Sequence, residues 1–301
     1  MGIYLSSPDT RKINTEGSGN GVKFGSSCMQ GWRLNMEDAE ITQAVFTPNS
    51  SLFAVFDGHG GTEVAKYCEK YFGDELKKNK KFSTESNIEE ALKETFLKMD
   101  QMLFTPEAQA ELKTLKTDQD GAESFAGCTA NVILIHKNVI YCANAGDSRT
   151  ICYSNRRVVD LSTDHKPDNE IEKNRIQKAG GFIIEGRVNG NLNLSRALGD
   201  LEYKKNPSLK PEEQLISAMP DIVKRPIKKE DAFLVMGCDG VWERLTQDEI
   251  CQMVEAKFSD GKTKLIAMAD EILDKGLAPD TSQGIGCDNM SSIVIQLNYK
   301  D

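Results

Sequence analysis

Apolar residues gather in short, dense runs along the chain. Ser51–Phe56 (SLFAVF), Asn131–His136 (NVILIH), Val139–Ala145 (VIYCANA), Thr150–Tyr153, Ala232–Met236 (AFLVM) and Ser291–Leu297 (SSIVIQL) have the length and the β-branched and aromatic content of strands. Lys137-Asn138, between two of them, fits a tight hairpin turn. Sequential hairpins imply mostly antiparallel pairing. Elsewhere the period changes. Ile88, Leu92, Phe96, Met99 and Leu103 recur at helical spacing behind Asn87 and Glu90, a capping-box pair. Asp168–Ala179 predicts a helix stopped by Gly180-Gly181. Thr246 and Glu249 open another over 247–258, and a further helix covers about 262–275, stopping at Gly276. Helical patterns also follow Gly61 and Trp242. The polar stretches 105–124 and 201–220 read as long surface segments, with room for a helical turn in the first. No repeat or linker divides the chain. The expectation is one α+β domain over 1–301, with helices outside the sheets and 1–20 as an N-terminal segment.

Composition narrows the function classes. The net charge of −9, from 37 basic and 46 acidic residues, disfavours nucleic acid as a partner. The eight cysteines form no C-x-x-C pair and there are only three histidines, which argues against structural zinc and for a reducing, cytoplasmic or nuclear setting. No apolar run approaches the roughly 20 residues of a membrane helix, and no secretory signal opens the chain. Met1-Gly2-Ile3-Tyr4-Leu5-Ser6 fits the pattern for myristoylation at Gly2. With only Arg11 and Lys12 nearby, such a chain would give weak, reversible membrane association.

The ends of the apolar runs carry the chemistry. SLFAVF leads into Asp57-Gly58-His59-Gly60-Gly61, VIYCANA into Gly146-Asp147, and AFLVMGC into Asp239-Gly240. Asp288 stands just before the last run. Asp-Gly is ordinarily a hairpin signal, yet helical patterns rather than second strands follow Asp57 and Asp239. Several carboxylates crowded at strand ends repel one another unless a cation neutralises them. Hard divalent ions prefer such oxygen ligands. Upstream, Glu37 and Asp38 add carboxylates, and Arg33 offers a planar fork suited to phosphate.

Seven blocks in order, GWRLNMEDA (31–39), FAVFDGHGG (53–61), NAGDSR (144–149), STDHKP (162–167), RVNGNLNLSRALGD (187–200), MGCDGVW (236–242) and CDNMSSIVI (287–295), carry a resemblance spanning about residues 20–298. The chain resembles the metal-dependent protein serine/threonine phosphatases of the 2C type. That resemblance implies a central β-sandwich of two mostly antiparallel sheets flanked by helices on both outer faces, with a metal cleft at one end. It implies two Mg²⁺ or Mn²⁺ ions per subunit. Asp57 would bridge them, Gly58 would give its carbonyl to one, and Asp239 and Asp288 would bind the other. Glu37 and Asp38 would act at or just outside the metal shell, and Arg33 would clamp the substrate phosphate. A metal-bridging water or hydroxide would attack phosphorus without a phospho-enzyme, while His59 protonates the departing oxygen. A weaker third ion would use Asp147 and Glu243, where the family usually has Asp at the second position. Residues 165–187 and the loop after them correspond to the family's variable flap. Partners would be phosphoprotein substrates, met by a monomer. His136 and His165 read as structural. Cys238 and Cys287, each preceding a proposed ligand, are expected to face the core, away from the metals. The rival class, a silent phosphoprotein-binding relative, would lack a ligand or the arginine, and this chain keeps Arg33, Asp57, Asp239 and Asp288. A phosphodiesterase or nuclease is disfavoured by the acidic charge.

Overall fold

The computed structural model describes residues 4–116, 125–260 and 263–298. One sheet runs in the spatial order β1 (Tyr4–Gly19), β2 (Val22–Arg33), β16 (Met290–Leu297), β15 (Asp231–Gly237), β9 (Arg149–Ser154) and β10 (Arg157–Asp160). The other runs β14 (Asp221–Pro226), β8 (Val139–Ala145), β7 (Ala130–His136), β4 (Ser50–Phe56) and β3 (Ala39–Thr47). Every pairing in both sheets is antiparallel. The six strands expected from the apolar runs are all present, within two residues at each end.

Those runs are continuous rather than alternating because both faces of their strands are covered. On β4 and β7, Phe53, Val55, Ile133 and Ile135 point into the space between the sheets, where Phe24 of β2 meets Phe53 edge-on at 5.3 Å. Leu52, Ala54, Phe56, Val132 and Leu134 point outward. There they meet α1 (Glu63–Lys78) and α3 (Ile88–Leu103), whose Phe72 and Phe96 pack at 5.3 Å. On the far side, α7 (Gln247–Asp260) and α8 (Leu265–Gly276) cover the six-stranded sheet with Ile250, Val254, Ile272 and Leu273. The layers are helix, sheet, sheet, helix. No described helix is long and apolar enough to cross a membrane.

Local signals act as expected. Asn87 accepts from the Glu90 amide at 3.1 Å at the start of α3. Thr246 and Glu249 cap α7 reciprocally, at 3.3 and 2.8 Å. Lys137 and Asn138 both have positive φ, the requirement of a type I′ turn. The helix α5 (Glu170–Lys178) ends in Gly180, at φ +88.

Four readings change. Residues 4–19 are not a separate segment but the edge strand β1, joined to β2 through Asn20-Gly21, which also have positive φ. Within 105–124, α4 (Pro106–Leu115) is a full helix capped by Thr105 rather than a turn within surface chain, while 117–124 lie outside the described residues. Within 201–220, Ile216 and Ala218 are buried, so that stretch reaches the interior. The helix expected after Gly61 is present as α1, but a short second strand, where none was expected, comes first. Gly58–His59 forms a two-residue strand, β5, in a small sheet with β6 (Gly127–Cys128) and β13 (Leu198–Gly199), before α1 begins.

Candidate active site

The sandwich brings the ends of β2, β4, β8 and β15 and the starts of β9 and β16 to one edge. Arg33, Glu37, Asp57, Gly58, His59, Asp147, Asp239 and Asp288 line a single cleft there. Asp38 sits just behind it, 8% exposed, its Oδ2 accepting from the Ser291 hydroxyl at 2.7 Å. One carboxylate oxygen each of Asp57, Asp147 and Asp239 lie within 4.8 Å of one another. Asp57 Oδ2 accepts from the Asp239 amide at 3.4 Å, and Asp288 Oδ1 from the Asn289 amide at 2.7 Å.

The backbone is shaped for this crowding. A β-carbon on Gly58 would run into the carbonyl oxygen of Glu37, so only glycine lets the two segments approach. The Asn289 side chain accepts from the Glu37 amide at 2.9 Å and donates to the Gln30 and Asn35 carbonyls, locking the 30–38 segment to the start of β16.

Electrostatically the cleft is overloaded with negative charge. Burial, then Asp239, Asp38, Asp147 and Asp288, hold the Asp57 carboxyl well above the usual range. Burial, then Asp147, Asp288 and Glu243, do the same to Asp239. Asp38 is pushed up to about 7, chiefly by burial. Glu37 is raised by burial. Against these stand Arg33, paired with Asp288, and Lys166, paired with Asp147. His59 lies 2.8 Å from Asp200. Burial pulls its ring down, but Asp200, aided by Asp147 and Glu37, outweighs burial and holds it above its ordinary value. A desolvated group of carboxylates with too few cations is the donor set a hard divalent ion fits.

Residues 22–285 match the family model described as Protein phosphatase 2C. The chain belongs to the protein phosphatase 2C family. It is 55% identical over 301 residues to Probable protein phosphatase 2C 3 of Paramecium tetraurelia, covering 99% of each chain. It is 39% identical over 330 residues to Probable protein phosphatase 2C 21 of Arabidopsis thaliana, covering 98% of this chain and 92% of the relative. Among solved structures it resembles a phosphatase from a pathogenic strain of Toxoplasma gondii, at 25% identity and TM-score 0.79 over 96% of each chain. This is therefore a metal-dependent protein serine/threonine phosphatase, a hydrolase acting on phosphoproteins.

Within this protein phosphatase 2C chain, two expected positions are arranged differently. The Cys238 thiol is buried in the core, as expected, and does not line the cleft, but it is not remote from the carboxylates. Its sulfur lies within 4.8 Å of carboxylate oxygens of Asp38 and Asp57. Cys238 follows β15 directly, at the point where the chain turns from strand into helix, so strict alternation no longer sets where its side chain points. Cys287 does pack inward, with Trp32 and Ala278. Glu243 is the second: its Oε2 accepts from the Gly286 amide at 2.6 Å rather than joining the Asp57, Asp147 and Asp239 group. His136 bonds Ser50 at 2.7 Å, and His165 lies between the Gly146 amide and Asp221, as structural residues do. Four residues that pattern reading passes over also shape the site. Thr129, Asn193 and Leu194 line the cleft, and Asp200 holds His59.

Proposed function

We propose that this cleft hydrolyses phosphoserine and phosphothreonine monoesters on proteins by direct attack of water, using two Mg²⁺ or Mn²⁺ ions and no phospho-enzyme. The observation that carries it is the crowding of Asp57, Asp147 and Asp239, one carboxylate oxygen of each within 4.8 Å of the others, with Asp147 buried, Asp57 and Asp239 partly buried, and Lys166 as partner to only one of them. Asp57, the Gly58 carbonyl, Asp239 and Asp288 would hold the ions. Glu37 and Asp38 would act at the margin of that shell. When bound, the ions supply an activated water and neutralise charge on the phosphoryl oxygens.

The chain's own residues supply the rest. Arg33, half-exposed beside Asp288, can turn its second N–H edge to the phosphate. His59 donates the proton that the departing oxygen needs. Direct attack is favoured by what lines the cleft, which includes no Cys and no Ser among the described residues. The one alcohol there, Thr129, bonds the Asp57 amide at 3.3 Å and Ser148 at 2.7 Å. A weaker third ion would sit at Asp147, and Glu243, whose Oε2 accepts from the Gly286 amide, would join it through its other oxygen. We take 1–301 as one catalytic domain, working as a monomer in the reducing cytoplasm with all eight thiols free. Acylation at Gly2, with weak membrane association, falls outside the described residues.

The test is phosphate release from a phosphothreonine peptide with EDTA, then with Mn²⁺ or Mg²⁺ restored. Release should stop and return. Restoration by zinc alone would contradict an oxygen-ligand site. No release with any metal would favour a silent relative.

A further inference from the structure

We propose that Asp200 is a positioning residue for the reaction: it holds the His59 ring by Nε2 and leaves Nδ1 to the cleft and to the departing serine or threonine oxygen. This rests on the reading of His59 as the proton donor.

Three independent features converge on that one contact. The small sheet β13-β6-β5 sets Gly127 opposite His59 on one side and opposite Gly199 on the other, so residues 59 and 200 meet although 141 positions separate them. Asp200 itself is held in the left-handed region at φ +51, a conformation that costs a non-glycine residue on the order of 1 kcal/mol or more. Gly127, between the two side chains, has no room for a β-carbon. One there would press on Asp200 Oδ2 and lie 2.6 Å from His59 Nε2.

A purely architectural role for Asp200 is already filled by its neighbours. Asp100 accepts from the Gly199 amide at 2.9 Å and from Lys204 at 2.7 Å, which anchors the end of β13. The Asp200 carboxylate is 2% exposed, and among the described residues its hydrogen bond is the one to His59. A buried carboxylate on one imidazole nitrogen fixes the ring's orientation and which nitrogen is left to act. As the phosphorus–oxygen bond breaks, its electron pair stays on the substrate oxygen, and the Nδ1 proton moves to that oxygen. Water adds its hydroxyl to phosphorus and its remaining proton returns to His59 through solvent. Asp200 takes no proton in this sequence; it accepts from Nε2–H and keeps the ring in place.

The experiment compares the Mn²⁺-loaded enzyme with Asp200→Ala, His59→Gln and the double variant. The substrates are a phosphothreonine peptide, whose leaving oxygen needs a proton, and p-nitrophenyl phosphate, whose leaving group needs one far less. Asp200→Ala should lose about 10- to 100-fold in kcat on the peptide, part of the 10²–10⁴ a general acid supplies, and several-fold less on the nitrophenyl ester. The double variant should be no slower on the peptide than His59→Gln alone. Equal losses on both substrates, or losses that multiply, would overturn the proposal while leaving His59 as the acid. Equal losses in His59→Gln itself would overturn the acid reading and the proposal with it. Should Asp200→Ala fail to fold, Gly127→Ala separates the same two side chains and must show the same selective loss.

Discussion

Removing the divalent ions should make the cleft a source of instability that one substitution relieves. Asp38 is nearly buried, and its carboxyl is pushed up to about 7 by burial first, with Asp288 and Glu37 adding to it against the Ser291 hydrogen bond. In the unfolded chain it titrates near 3.8. Below pH 3.8 both states hold the proton and the group contributes nothing. Above 3.8 the unfolded chain releases the proton while the folded chain keeps it, so stability falls as pH rises, by about 1.4 kcal/mol per pH unit. The loss levels off near pH 7 at a ceiling of ~4 kcal/mol. Asp38→Asn removes that loss and keeps an oxygen for Ser291. In EDTA at pH 7.5 the variant should therefore be more stable than the unmodified protein, by about 2–4 kcal/mol in urea unfolding followed by tryptophan fluorescence. At pH 4.5 the gain should shrink to about 1 kcal/mol. Saturating Mn²⁺ should reverse the order. Ion at 100 times its Kd stabilises by about 2.7 kcal/mol, and the variant should capture less of that. The reasoning fails if Asp38→Asn is no more stable in EDTA at pH 7.5, or if its gain is the same at both pH values.

Arg33→Ala should lower kcat/KM on the phosphopeptide by about 10- to 100-fold, the worth of a charged hydrogen bond to phosphate, with Arg33→Lys between; steady-state kinetics in Mn²⁺ would show it. Gly58→Ala should cost about 1–3 kcal/mol in folding, because its β-carbon meets the Glu37 backbone rather than a movable side chain, and it should blunt the Mn²⁺-induced rise in Tm. Glu172 is held down to about 2 where Arg196 at 2.6 Å, with Arg175, overcomes the upward push of burial. Its contribution is complete above about pH 4.5 and is lost as pH falls toward 2, so Glu172→Gln should cost about 3 kcal/mol at pH 7 and far less at pH 2.5 by chemical denaturation.

What the chain discloses without its structure depends on how each element hides its surface. Strands β4, β7, β8 and β15 are legible because helices cover one face and the opposite sheet the other, so every position tends to be apolar. Strand β2 reads poorly for a physical reason. Its Ser26 and Ser27 are fully buried, with their hydroxyls satisfied by Glu40 at 2.6 Å and Asp270 at 2.7 Å. A buried hydroxyl with a partner is stable inside a sheet, but its partner lies 14 or 243 residues away and no local pattern records it. Edge strand β1 fails differently. Most of its side chains face solvent, with Asp9, Arg11, Lys12 and Glu16 along it, as an edge that resists pairing with another chain should have. Only the Asn20-Gly21 turn marks it.

The same distinction separates the legible from the hidden half of the site. Aspartates at the ends of apolar strands are visible because the strand announces where its end must be. Asp57, Asp239 and Asp288 converge since β4, β15 and β16 all terminate or begin at one edge of the sandwich. Asp200 follows a strand two residues long, too short for any periodicity, and it reaches His59 only because glycine at 127 lets three such strands close up. Metal ligands need charge and proximity, which long strands provide cheaply. A proton donor needs its ring aimed as well, and that aim comes from the small sheet whose strands are the least visible in the sequence. Substitutions at Gly127 or Gly199, which carry no functional group, should therefore disturb the handling of protons more than the holding of ions, since neither glycine lines the carboxylate group.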